Sequence, residues 1–187
     1  MNTRTFPVVT TSLLLLIAAI HAVAPDKTLF YFGAGEIAQG QTWRLFTGHL
    51  AHADWSHLLW NALGLAILGW LIERHSRRLL LAALAAGIIA VSGLLLLPFS
   101  NLDYYCGLSG ALNSLLVVAL WLEWRDSRAW WVAAIAMACF LKVLVEISSG
   151  QSIITQISWP PFAWSHLAGM AGGMAILIAQ KYRTQTW

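Results

Sequence analysis

The chain has 187 residues, 59% of them hydrophobic and only 10% charged, with a mean hydropathy of +0.68. A soluble domain carries about 25% charged residues, so this composition excludes a soluble globule and indicates one membrane domain over 1–187. The net charge of +3 does not call for nucleic acid, because Lys and Arg gather at the cytoplasmic ends of membrane helices.

Apolar runs predict six helices, near 8–24, 57–73, 78–98, 109–124, 129–147 and 164–181. Each is close to the ~20 residues that cross a bilayer, so the expected fold is an all-α polytopic membrane bundle. The first run ends at Ala22-Val23-Ala24-Pro25, which has the small-residue pattern of a signal-peptide cleavage site. The proline directly after it disfavours cleavage, and a retained helix is expected. Residues 25–56 form a long mixed segment with Gly33, Gly35 and Gly40 among Phe30, Tyr31, Phe32, Trp43 and Trp55. Such aromatic content places it at the membrane interface.

Orientation follows from the basic residues. With the N-terminus in the cytoplasm, Arg4, Arg74, Arg77, Arg78, Arg125, Arg128, Lys181 and Arg183 lie on the inner side. Only Lys27, Arg44 and Lys142 lie towards the outside. Both termini are therefore expected in the cytoplasm. His57, Ser109 and His166 then fall at the outer ends of their helices.

The fourth helix opens with Gly107-Leu108-Ser109-Gly110. A serine here is an ordinary N-cap choice. It becomes a nucleophile only if a base takes its proton, and His166 starts the sixth helix at the matching depth. His166 shares a face with Gly169 and Gly173, a small-residue stripe that lets another helix approach closely. Gly110 and Ser114 give the fourth helix a matching face, so docking the two predicts that Ser109 meets His166.

Acyl transfer also needs donors for an oxyanion. The Ser109 N–H at a helix start is one. His57 and Asn61, four apart on one helix face, are two more. Taken singly, Asn61 reads as a helix–helix hydrogen bond and His57 as an interfacial polar tip. His52 reads as a packing or hydrogen-bonding residue and His49 as incidental. A metal site from His49, His52 and His57 lacks an acidic or cysteine partner at usual spacing, so neither metal nor cofactor is expected. Lys142 and Glu146 can pair on one helix face. They are either a plain ion pair or, since charge inside a membrane is costly, part of a site. A Cys106–Cys139 bridge would tie the third connection to the fifth helix, although free buried cysteine is common in apolar helices.

Together these residues resemble the rhomboid family of intramembrane serine proteases. The matching pieces, in the family's order, are Trp43-Arg44, His52-x4-His57-x3-Asn61, Glu73, Gly107-Leu-Ser109-Gly110 and His166-x-Ala168-Gly169-x3-Gly173. The resemblance implies a six-helix bundle and a Ser109–His166 dyad with no acidic third member. It also implies an oxyanion hole from the Ser109 N–H, His57 and Asn61, with Gly107 beside them, and a membrane-embedded first loop around Trp43-Arg44. One position departs from the pattern. Many bacterial members carry a tyrosine four residues after the nucleophile, stacked on the catalytic histidine, where this chain has Asn113. The short chain without a soluble N-terminal domain, and the Lys142-x3-Glu146 pair, look more like the rhombosortase branch. That likeness implies membrane-anchored substrates with a C-terminal tail made of a Gly-rich motif, one membrane helix and a basic end. The alternatives are a general rhomboid protease for other single-span substrates and an inactive rhomboid-like binding factor, which would usually lack Ser109 or His166. A small transporter would place polar groups near the midplane and show inverted repeats, and neither is visible.

Overall fold

The computed structural model describes residues 6–24, 26–153 and 162–185; Arg4, Pro25, Pro160 and Pro161 lie outside them. Its long helices are α1 (Val8–Val23), α4 (Trp55–Glu73), α5 (Arg77–Leu95), α6 (Ser109–Ser127), α7 (Trp130–Ser149) and α8 (Ala163–Gln185). They match the six expected runs to within a few residues. Two short helices, α2 (Ala34–Ala38) and α3 (Arg44–Thr47), fold inside the first loop. That loop also contributes β1 (Phe32–Gly33), which pairs antiparallel with β2 (Tyr104–Tyr105). Helix α5 stops before the expected Pro98, which instead opens a 3-10 turn over Pro98–Ser100.

By length and composition α4, α5 and α7 are apolar enough to cross a membrane, and α1 is a shorter apolar helix. Helix α6 is less apolar: Ser109, Asn113 and Ser114 lie in its first turns, and Glu123, Arg125 and Asp126 in its last. It is shielded from lipid by its neighbours, packing on α4, α5 and α8. Ala111, Leu115 and Val118 are fully enclosed. Leu59, Ile67, Ile89 and Ile178 point outward, as expected where the surrounding solvent is hydrocarbon.

Because lipid is as apolar as leucine, helices in a bilayer associate through close packing and hydrogen bonds rather than through apolar burial. Both are present. Ser114 Oγ donates to Ala83 O at 2.6 Å, joining α6 to α5. Glu73 reaches from the end of α4 to the start of α1, where it accepts from Val9 N, Thr10 N and Thr10 Oγ1 at 2.8–2.9 Å. It thus caps a helix whose own N-cap is Pro7, without a side-chain bond. The first apolar run is therefore built into the bundle.

The tightest contact joins α6 to α8. A Cβ built on Gly169 would collide with the carbonyl oxygen of Gly110, and one on Gly173 would sit 2.5 Å from Ser114 O. These are the two small-residue faces singled out from the sequence, and they meet as expected. Gly169→Val should force the helices apart, at about 1–3 kcal/mol for such overpacking. It should lower the melting temperature in detergent by several degrees. Gly93→Ala, which points into open space, should leave it unchanged or raise it slightly.

Candidate active site

Helix α6 starts at Ser109, with Leu108 in the cap position and no side chain capping the helix. Ser109 is thus the first helical residue and not the N-cap. Its Oγ lies 3.1 Å from His166 Nε2, on the second turn of α8. The pairing depends on the Gly110–Gly169 approach, one residue beyond Ser109 and three beyond His166. The free N–H groups at the α6 start sit at the positive end of the helix dipole.

On the far side of the ring, where the resemblance implied no acidic member, His166 Nδ1 lies 3.3 Å from Glu146 Oε2. Glu146 is 1% exposed. The expected ion pair with Lys142 is present at 2.7 Å, and Glu146 Oε1 also accepts from Ile153 N at 3.2 Å. Asn113, at the place of the family's tyrosine, donates to Ser109 O at 2.9 Å within its own helix.

His57 is the third residue of α4. Asp54 caps that helix by accepting from His57 N at 2.7 Å. The His57 ring lies against Gly107, whose φ of +112° suits glycine and whose missing Cβ would overlap His57 Nε2. Gly107 N in turn donates to Gly48 O at 2.9 Å, tying the segment before Ser109 to the first loop. Asn61 Nδ2 donates to His57 O at 2.8 Å. Its bond is therefore within α4 and not between helices, and its second N–H is left for another acceptor.

Two histidines and one tyrosine complete the surroundings. His52 packs edge-on against His57, ring centres 5.1 Å apart, and burial pushes its imidazole down to about 3. His49 is not incidental. Ser92 Oγ donates to Leu45 O at 2.7 Å and so accepts from His49 Nε2 at 3.0 Å, which pins the first loop to α5. His49 thus has its partner on α5, and among the described residues no three His, Cys, Asp or Glu are grouped to hold a metal. Tyr105, which the sequence reading passed over, is buried with its hydroxyl 3.0 Å from where a Gly110 Cβ would stand. Its only sequence signal was its place four residues before Ser109. Arg44 is buried and binds Thr28 O, Tyr31 O and Gln41 Oε1 at 2.7–2.9 Å, ordering the first loop. Cys106 and Cys139 are both free thiols.

Residues 39–182 match the family model of the Rhomboid domain. The chain belongs to the rhomboid family. It is 31% identical over 153 residues to the rhomboid protease GluP of Bacillus subtilis (strain 168), a match covering 79% of this chain and 28% of GluP. It is 29% identical over 159 residues to YdcA of the same strain, provisionally described as a rhomboid protease, covering 78% of this chain and 71% of YdcA. The chain thus spans little more than a quarter of GluP and under three quarters of YdcA. With its apolar helices, rhomboid membership makes it an integral membrane protein.

The Gly107 geometry gives a sharp expectation. Gly107→Ala imposes a left-handed backbone on a residue with a Cβ and pushes on the His57 ring. That strain should cost about 1–3 kcal/mol and lower the melting temperature in detergent by several degrees.

Proposed function

We propose that the protein is an intramembrane serine endopeptidase that cleaves membrane-anchored proteins by acyl transfer through Ser109 and His166. The 3.1 Å contact between Ser109 Oγ and His166 Nε2 carries this reading. A serine and a histidine at membrane depth are each expensive to bury, and here they face each other.

In the first half-reaction Ser109 Oγ attacks the scissile carbonyl carbon and His166 Nε2 takes the hydroxyl proton. The carbonyl oxygen becomes an oxyanion, for which the Ser109 N–H, the His57 ring N–H and the free Asn61 N–H are the donors. Collapse breaks the C–N bond, and His166 returns the proton to the departing amine. Water then attacks the ester by the same route, and the product leaves with a free carboxylate. Gly107 supports His57, and His52 packs behind it. No metal or cofactor takes part in these steps.

The finer reading is a rhombosortase. The Lys142–Glu146 pair supports it, since this pair marked the likeness and its carboxylate lies beside His166. The substrates would end in a Gly-rich motif, one membrane helix and a basic tail. The distribution of Lys and Arg supports both termini in the cytoplasm and a site facing the periplasm of a bacterial inner membrane.

Cleavage of such a tailed reporter in membranes tests the proposal. Ser109→Ala and His166→Ala should each abolish cleavage, and the double variant should be no worse than either, because nucleophile and base act as a unit. Asn61→Ala and His57→Ala should each lose on the order of 10²-fold, as for one missing oxyanion donor. Full activity in either dyad variant at normal expression would refute the mechanism. Equal cleavage of a reporter lacking the Gly-rich motif would leave a general rhomboid protease.

A further inference from the structure

The His166 ring has two nitrogens, and the proposed chemistry needs a particular one to be bare. Nε2 must accept the Ser109 proton, so the ring must carry its resting proton on Nδ1. A neutral imidazole takes whichever tautomer its partners select. The Asn113 side chain gives no help, being bonded to Ser109 O. What faces Nδ1 is the carboxylate of Glu146 at 3.3 Å, which can only accept while ionised.

We propose that Glu146 is the positioning residue of the catalytic histidine, holding His166 in the Nδ1–H tautomer and balancing the imidazolium that forms during acyl transfer. The Ser–His pair thus works as a triad whose acid arrives from α7. This inference rests on the Ser109–His166 reading.

Three features make Glu146 suited to that work. Its carboxylate is enclosed, and a buried ion needs partners on each open side. Lys142 Nζ at 2.7 Å supplies the countercharge one turn earlier on α7. The Ile153 N–H at 3.2 Å takes the other oxygen. Lys142 and His166 share Oε2, so the carboxylate is locked in rotation and its shared oxygen stays towards His166. The side chain of Lys142 is 29% exposed against 1% for Glu146, which leaves the ammonium at the surface of the bundle and the carboxylate inside. Finally, α7 is less enclosed than the other apolar spans α4 and α5. Its buried residues are Val132, Val143 and Glu146, of which Glu146 is the one polar side chain.

A structural account competes, in which Glu146 merely ties α7 to α8. The two differ in whether the charge matters. His166 faces Ser109 on α6, His57 on α4, and Glu146 with Lys142 on α7, with Tyr105 of β2 close to Ser109 and Ser165. Glu146 is the only carboxylate among these. A glutamine in its place keeps the side chain's length and hydrogen-bonding reach, and so most of a tie between helices, but removes the negative charge beside Nδ1.

The test is the second-order rate of Ser109 phosphonylation by a fluorophosphonate in the purified full chain. Wild type, Glu146→Asp, Glu146→Gln and the double variant Lys142→Met/Glu146→Gln are compared, each with its melting temperature. The double variant removes both charges and so leaves none unpaired if Glu146→Gln alone folds poorly. Both variants that carry Gln should react about 10²-fold or more slowly than wild type, as when a histidine loses its acid partner. Glu146→Asp keeps the charge and should recover part of that rate. Wild-type rate in Glu146→Gln would overturn the inference. So would recovery of the rate in the double variant, since the loss would then come from a stranded Lys142 charge. Failure of wild-type protein to react at Ser109 would instead remove the proposed function and the triad with it.

Discussion

The structure depends on a backbone-to-backbone approach between two helices. At Gly169 and Gly173, α8 comes so near to α6 that no Cβ fits. In water such an approach could be driven by apolar burial. In a bilayer it must be earned by packing, because hydrocarbon surrounds the helices before and after association. The approach sets the distance between Ser109 and His166, which lie one and three residues from the glycine contact. A wider interface filled by leucine would carry the same two residues without a hydrogen bond between them.

The second constraint is the disposal of polar groups in an apolar medium. Several have a particular partner: Ser114 a carbonyl on α5, Glu73 the open end of α1, His49 a serine, Arg44 the carbonyls of the first loop. These bonds are worth more to uniqueness of arrangement than to gross stability, since a polar group left unpaired is what costs most. The start of α6, like that of α7, has no side chain of its N-cap residue bonded to it. Helices α4 and α5 begin under the side chains of Asp54 and Ser76, whereas α6 begins at Ser109 with none. Leaving helical N–H groups open is unfavourable in the resting protein and useful where an oxyanion develops.

Much of this was legible in the chain. Long apolar runs gave the helices, since length and composition alone decide what spans a bilayer. The small-residue stripes on α6 and α8 gave the docking because their spacing follows the helix period. The role of His49 was not legible, because its partner Ser92 lies 43 residues away and nothing local marks the pair. The Glu146–His166 contact was hidden for a related reason. Lys142 and Glu146 are four apart and already satisfy each other on paper, so the sequence offers no cue that the carboxylate also reaches α8. Tyr105 was obscured by its setting in a two-residue strand, too short to show any period. The departure at Asn113 raised the question of what orients His166, and only the three-dimensional arrangement puts a carboxylate there.

The central claim is that helix docking makes Ser109 reactive. The most direct measurement is the location, by tandem mass spectrometry, of the adduct formed by a fluorophosphonate on the purified protein. The account predicts one adduct, on Ser109, absent from Ser109→Ala and from His166→Ala and strongly reduced in Gly169→Val, where the serine is present but the helices are spread. An adduct on another residue, or undiminished labelling of Ser109 in Gly169→Val, would contradict it.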